Sequence, residues 1–255
     1  MTREWDAAAY HRLSDHQFAW GKKVLARAPL RGDETVLDAG CGTGRLTAEL
    51  LRRVPQGRVV AVDLSENMLR TARSHLEPEC SARLRLVRAD LQALPFRGAF
   101  DGIVSTATFH WATDHPRLFR SLFTALRPGG WLEAQCGGGA NLARLRQRAA
   151  VLMAQPAYAD FFAGWSGPWE YADAETTAAR LCQAGFEQVE TSVEPAEFRL
   201  SDADEYRQYL ATVTFHQHLA RIPDAALRER FLHDLAADPD FEMDYWRLNL
   251  RGRKP

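Results

Sequence analysis

Residues 36–46 read VLDAGCGTGRL. A short apolar run carrying one aspartate passes into three alternating glycines, Gly40, Gly42 and Gly44, and then into the helical pattern RLTAELLRRV. Glycine loses more backbone freedom on folding than any other residue, so this spacing marks a loop where side chains would be in the way. A strand, a glycine loop and a helix N-terminus in that order build a ligand site. The backbone comes close to the ligand, and the free N–H groups of the first helical turn face it. Such a unit belongs to an open parallel sheet, whose ligands lie at the carboxyl ends of the strands.

The chain continues in the same alternation. RVVAVDL, LRLVRAD, FDGIVST and WLEAQCG read as strands, and NMLRTARSHL and HPRLFRSLFTALRPGG as helices, the latter stopped by Pro128 and Gly129. The strands are nearly all apolar, as in a parallel sheet covered on both faces. Upstream, Ala9, Leu13, Phe18, Trp20, Val24 and Leu25 recur at helical spacing, which predicts one or two helices over 6–28. After Cys136 the pattern changes. GGGANL is an exit, 141–183 is helical around the loop FFAGWSGPWEYAD, FEQVETSVEP is a strand, 201–237 is helical, and FEMDYWRLNLRGRKP is a last strand. The expected class is α/β, doubly wound. The expected organisation is an N-terminal helical cap over 1–29 and an α/β core over 30–136. Residues 137–255 would complete the sheet and carry a helical lid, in two pieces (138–184 and 200–237), over the strand ends.

Composition excludes several roles. With 32 basic and 33 acidic residues the formal net charge is -1, which leaves no electrostatic track for nucleic acid. Arg83, Arg85 and Arg88 cluster, but Asp90 follows them, and a solvated face accounts for the group. No apolar run approaches the roughly 20 residues of a membrane span, and MTREWDAAAYHRL has no secretory core. Cys41, Cys80, Cys136 and Cys182 are far apart with no CxxC pair, which speaks against zinc and against a disulfide scaffold. These features predict a cytoplasmic protein with reduced thiols and no zinc site.

The carboxylates at the strand ends describe the ligand. Asp63, at the end of the second strand, is placed to accept from a ribose diol. Asp90, followed by Leu91, is placed to accept from an adenine amino group with an apolar neighbour for the ring. Asp38, beside the glycines, is placed to accept from an ammonium. A dinucleotide shares the ribose contact but prefers GxGxxG, whereas these glycines read GxGxG. No GK[ST] follows, which excludes a P-loop. An isolated aspartate at a strand end is usually a cap; three converging on one glycine loop make a ligand with an amino acid part, a ribose and an adenine.

VLDAGCGTG, AVDLS, RADLQALPF, FDGIVST and LRPGGWL together resemble the successive motifs of class I S-adenosylmethionine-dependent methyltransferases, over roughly residues 30–136. The resemblance implies a Rossmann-like seven-stranded sheet with an antiparallel last strand. It implies S-adenosylmethionine as cofactor, with S-adenosylhomocysteine as product. It assigns Tyr10, Asp38, Gly40, Gly42, Gly44, Asp63, Leu64, Met68, Asp90, Leu91 and Ser105 to the cofactor, and a structural place to Cys41. TFHWATDH after the fourth strand, and YHRLSDHQFAWG near the N-terminus, are similar to a carboxyl methyltransferase group. That group comprises the trans-aconitate, juvenile hormone acid and malonyl-acyl carrier protein enzymes.

From that likeness His110, Trp111 and Gln17 are the expected acceptor-site residues. A carboxylate is ionised at neutral pH and needs no base, so Gln17 and Trp111 would orient it. With a hydroxyl or amine acceptor, His110 would instead be the general base. TFHQHLARIP, residues 214–223, does not supply the basic residues a tricarboxylate would want. His216 and His218 within it read as solvated or core histidines. The competing classes are a nicotinamide-binding Rossmann enzyme, a non-catalytic binding protein on this fold, and a nucleic acid methyltransferase, for which no NPPY-type motif stands in the chain.

Overall fold

The computed structural model describes residues 4–80, 82–238 and 240–255. Two compact units make up the chain. The core unit comprises Glu4–Gly139, Trp169–Glu194 and Arg247–Pro255, and the helical unit comprises Ala140–Pro168 and Pro195–Trp246.

The core unit opens with α1 (Ala7–Leu13) and α2 (Asp15–Arg27). It continues with β1 (Thr35–Ala39), α3 (Arg45–Arg53), β2 (Arg58–Asp63), α4 (Glu66–Cys80), β3 (Leu84–Arg88), β4 (Phe100–Thr106), α5 (His115–Ala125) and β5 (Leu126–Gly137). The seven-stranded sheet has the order β3-β2-β1-β4-β5-β9-β6, where β6 is Glu187–Pro195 and β9 is Trp246–Arg253. The pairs β1–β2, β2–β3, β1–β4 and β4–β5 are parallel, and β9 lies antiparallel to β5. The order reverses at β1, between β2 and β4, so the crevice for a ligand opens at the carboxyl end of β1. Val36, Val59 and Val104 bury one sheet face against Leu50, Leu51 and Leu76. Leu37, Ile103 and Leu132 bury the other against Phe119, Leu122 and Leu181.

Local signals explain the helix starts. The Asp114 side chain accepts from the Arg117 N–H, and Pro116 occupies the first turn of α5, where it costs no hydrogen bond. Asp114→Ala should cost about 1 kcal/mol through loss of this cap, read as a melting temperature lower by about 2–4 °C. The helix ends sooner than expected, at Ala125. Leu126 is already extended and pairs with Phe100, and Pro128 disfavours a helical residue before it, so Pro128 and Gly129 stand inside β5.

The helical unit contains α6 (Ala143–Met153), α7 (Ala159–Phe162), α9 (Ala203–Tyr209), α10 (His216–Arg221) and α11 (Ala225–Leu235). It also holds a two-stranded ribbon of β7 (Phe198–Arg199) and β8 (Glu242–Met243), which the final-strand reading of FEMDYWRLNLRGRKP did not anticipate. Its core is aromatic: Tyr158, Phe162 and Phe231 meet at centroid distances of 5.2 and 5.8 Å. The units divide the chain differently from the expected lid pieces 138–184 and 200–237. Residues 169–184, with α8 (Ala174–Gln183), belong to the core unit, because Leu181 of α8 is buried among the side chains of α5. Among the described residues, no helix is long and apolar enough to cross a membrane. Cys41, Cys136 and Cys182 are free thiols, and the Cys80 side chain lies outside the described residues.

Candidate active site

The loop after β1 is pinned to β2: the N–H groups of Gly40 and Cys41 both donate to the Val62 carbonyl, at 2.8 and 3.0 Å. Gly40 (φ +84°) passes so close to the turn after β4 that a Cβ would sit 2.2 Å from the Thr108 side chain. Gly42 (φ +53°) is the opposite case, since a Cβ there would meet nothing within 4 Å. One glycine thus permits close packing and the next keeps a space open. A cavity of about 60 Å³ lies here, lined by Tyr10, Ser14, Gln17, Phe18, Asp38, Gly40, Cys41, Gly42, Thr43, Arg45, Leu46 and Thr106. Gly44 caps α3. Tyr10, Asp38, Gly40, Gly42 and Gln17, expected in the site from separate stretches, share this one cavity.

The carboxylates differ in their surroundings. Asp38 is 2% exposed and accepts from the Thr47 hydroxyl at 2.7 Å. Burial, with the Asp63 charge adding to it, pushes its pKa up from 3.8 to about 6. An ionised carboxylate so poorly solvated favours the arrival of a cation. Asp63 accepts from the Gly42 N–H and the Ser65 N–H, each at 2.9 Å. Burial raises its pKa, against the lowering by those two bonds. Each of its oxygens keeps a lone pair for a further donor. Asp90 accepts from the Gln92 N–H at 2.9 Å at the head of the turn Leu91–Ala93. Beside Asp63, Leu64 is 45% exposed, while Met68 and Leu91 are buried. Ser105 is buried, and its hydroxyl donates to the Ala39 carbonyl at 2.6 Å, tying β4 to β1. That proton is therefore committed to the sheet. Burial raises the Cys41 thiol well above its ordinary pKa, which keeps it protonated and removes it as a nucleophile.

Beyond β4 the chain turns through Ala107, at φ 57°, into the short turn Phe109–Trp111. His110 is 7% exposed, and its Nδ1 accepts from the Gly137 N–H at 3.2 Å. A backbone N–H only donates, so the proton of the neutral ring resides on Nε2. Burial holds the ring's pKa well below its ordinary value, with Arg247 and His115 acting in the same direction. His110 is thus a neutral Nε2–H donor. The expectation of a general base in case of a hydroxyl acceptor meets a physical obstacle: the basic lone pair is taken by Gly137, and the buried ring resists a second proton. Trp111 lies 5.2 Å from Trp5 and 5.9 Å from Trp169, centroid to centroid. Trp5 in turn lies 5.4 Å from Tyr10. An aromatic line therefore runs from the glycine-loop cavity to His110 and Trp111.

Several residues here left no sequence signal. Glu4 accepts from the Ser65 hydroxyl at 2.5 Å and from the Glu66 and Asn67 N–H groups, both at 3.2 Å, capping α4 next to Asp63. His11 bonds the Thr43 hydroxyl through Nδ1 at 2.9 Å and stacks on His75. Arg247, 1% exposed, lies over the Trp20 ring at 4.3 Å. In the helical unit His218 is buried between Trp165 and Phe215, each 4.7 Å away, and burial pushes its pKa down to about 3.

Residues 36–130 match the family described as Methyltransferase domain. The chain is similar to trans-aconitate 2-methyltransferase of Azoarcus sp. strain BH72, 40% identical over 131 residues, 51% of this chain and 50% of that protein. It is also similar to the protein of that name in Methylobacterium radiotolerans, 33% identical over 176 residues, 69% of this chain and 61% of that one. The chain spans about half the length of the curated relatives it matches first. Phosphoethanolamine N-methyltransferase 2 of Haemonchus contortus, solved with S-adenosylhomocysteine, superposes with TM-score 0.63 at 20% identity, over 98% of this chain and 57% of that one. The cyclase SpnF superposes with TM-score 0.59, also at 20% identity, over 93% of this chain and 80% of that one. A fold that carries both transferases and a cyclase does not choose the reaction. The switch-point glycine loop, the sheet order with its antiparallel β9, and the domain match agree: the chain has the Rossmann-like methyltransferase fold, and its residues 36–130 are similar to a methyltransferase domain.

Proposed function

We propose that this protein transfers the methyl group of S-adenosylmethionine to an oxygen of a small-molecule carboxylate. S-adenosylmethionine supplies, when bound, an electrophilic methyl group on a sulfonium sulfur. The residues suit it. Asp38 would hold the ammonium, Asp63 the ribose hydroxyls, and Asp90 the adenine amino group, with Leu64, Met68 and Leu91 along the ring. Gly42 leaves open space where a Cβ would stand, which would let the cofactor approach the backbone.

The observation that supports a carboxylate acceptor is the state of His110. Its buried ring is neutral and carries its proton on Nε2, facing away from the Gly137 bond. Such a ring donates to an anion and does not deprotonate a hydroxyl. The Trp111 indole N–H and the Gln17 amide are donors of the same kind. With three neutral donors and no base assigned among the described residues, a carboxylate, already ionised at neutral pH, is the oxygen acceptor these groups suit, and the remaining work is orientation and exclusion of water. The relatives bear the name of trans-aconitate, itself a carboxylate. The pH profile tests this reading. With a carboxylic acid substrate and saturating S-adenosylmethionine, transfer should be flat above the acceptor's own pKa. A rise through pH 6–7, the range of an ordinary histidine, would contradict it.

Asp63→Ala should weaken S-adenosylhomocysteine binding by about 1–3 kcal/mol, because ribose hydroxyls and the Gly42 N–H both lose their acceptor. Unchanged affinity by titration calorimetry would remove Asp63 from the site.

A further inference from the structure

The turn Phe109–Trp111 is gripped from behind by a closed ring of hydrogen bonds. The Phe109 carbonyl accepts from His115 Nε2 at 3.1 Å. Nδ1 of the same imidazole accepts from Arg180 Nη1, also at 3.1 Å. A guanidinium only donates and a carbonyl only accepts, so the His115 tautomer is set from both ends. The second proton of Arg180 Nη1 goes to Glu170 Oε1 at 2.9 Å. The Glu170 backbone N–H closes the ring by donating to the His110 carbonyl at 2.9 Å. Glu170 thereby holds two successive carbonyls of the turn, one directly and one through Arg180 and His115.

The turn needs an outside hold. It is three residues long, and its own bonds are Trp111 N–H to Thr108 and Ala112 N–H to Phe109, at 2.9 and 3.0 Å. It follows Ala107, whose φ of 57° is a conformation that residues with a Cβ rarely adopt. His115 is 2% exposed, and burial first, then the Arg180 charge, keep it neutral against the Phe109 bond and the Glu170 and Asp114 carboxylates. A neutral ring is what this relay requires. The residues flanking Glu170 also face the turn: Tyr171 lies 5.5 Å from His110, and Trp169 lies 5.9 Å from Trp111.

We propose that Glu170, Arg180 and His115 are positioning residues for the methyl acceptor, fixing the angle at which the His110 and Trp111 donors meet it. The proposal rests on the acceptor-site reading above. Arg180→Gln and His115→Phe both break the ring. His115→Gln restores it, since its amide can donate to Phe109 and accept from Arg180. Hydrogen exchange at the Gly137 and Glu170 amides, which hold His110, should quicken by about tenfold or more in the two breaking variants. It should stay near wild type in His115→Gln. The Gly40 amide, bonded to Val62, should not change, and S-adenosylhomocysteine affinity should stay within about twofold because none of the three residues touches the cofactor loop. With the carboxylic acid turned over best, kcat/KM should fall about 10–100-fold in the breaking variants and recover in His115→Gln. Unchanged exchange at Gly137 and Glu170, or equal quickening at Gly40, would overturn the ring as a specific hold. Unchanged kcat/KM on a working substrate would overturn the positioning role alone, while a wild type that methylates no acid overturns the carboxylate reading and this proposal with it.

Discussion

Asp38→Asn should abolish measurable S-adenosylhomocysteine binding and, in the same protein, raise the melting temperature. The folded chain holds Asp38 at a pKa of about 6 against an ordinary value of 3.8, chiefly through burial. At 1.36 kcal/mol per pKa unit, that difference costs about 3 kcal/mol at neutral pH. The sign follows from linkage. A raised carboxylate pKa means the folded state holds its proton more tightly. The penalty is therefore absent below about pH 4, grows as pH rises through 6, and is complete above it. Asparagine removes the charge and keeps an acceptor for the Thr47 hydroxyl, so the gain over wild type should widen between about pH 4 and 6 and level off above that. Its ceiling is about 3 kcal/mol, or about 6–12 °C for a chain of this size. An ammonium beside Asp38 would favour the ionised form. Wild-type affinity for S-adenosylhomocysteine should consequently weaken below about pH 6, by up to tenfold per pH unit for the Asp38 proton alone. A variant that binds as well as wild type would place the ammonium elsewhere.

Trp111→Phe and His110→Ala should each lower transfer to a carboxylic acid by about 1.5–3 kcal/mol, or roughly 10–150-fold, with cofactor affinity nearly intact. Phenylalanine keeps an aromatic ring beside Trp5 and Trp169 and removes the indole N–H together with its five-membered ring. His110→Gln keeps a donor and should recover much of what alanine loses. If His110 worked as a base, glutamine would be as inactive as alanine. The comparison of the two variants therefore separates donor from base without relying on a pH profile.

What was legible in the sequence was local. Asp38, the glycines, Asp63 and Asp90 stand at strand ends within a few residues of the elements that place them, and period and turn chemistry locate such positions. Contacts between distant segments have no such signature. Glu4 reaches α4 across 61 residues to Ser65, His115 and Arg180 are 65 apart, and Arg247 comes to Trp20 only because β9 closes the sheet beside β5. The aromatic stretch FFAGWSGPWEYAD shows the limit well. It reads as one loop, but Phe162 and Trp165 pack in the helical unit while Trp169 and Tyr171 face His110 and Trp111 in the core unit. Ser105 shows the converse, since a position apt for a ligand has its proton committed to the Ala39 carbonyl.

Transfer from S-adenosylmethionine carrying an isotopically labelled methyl group, across a panel of carboxylic acids, phenols and amines, tests the central claim most directly. The account predicts label in one or more acids, as an ester that mild alkali cleaves, and none in the phenols or amines. Label in an alkali-stable ether or amine, or no transfer to any member of the panel by a protein that binds S-adenosylhomocysteine, would contradict it.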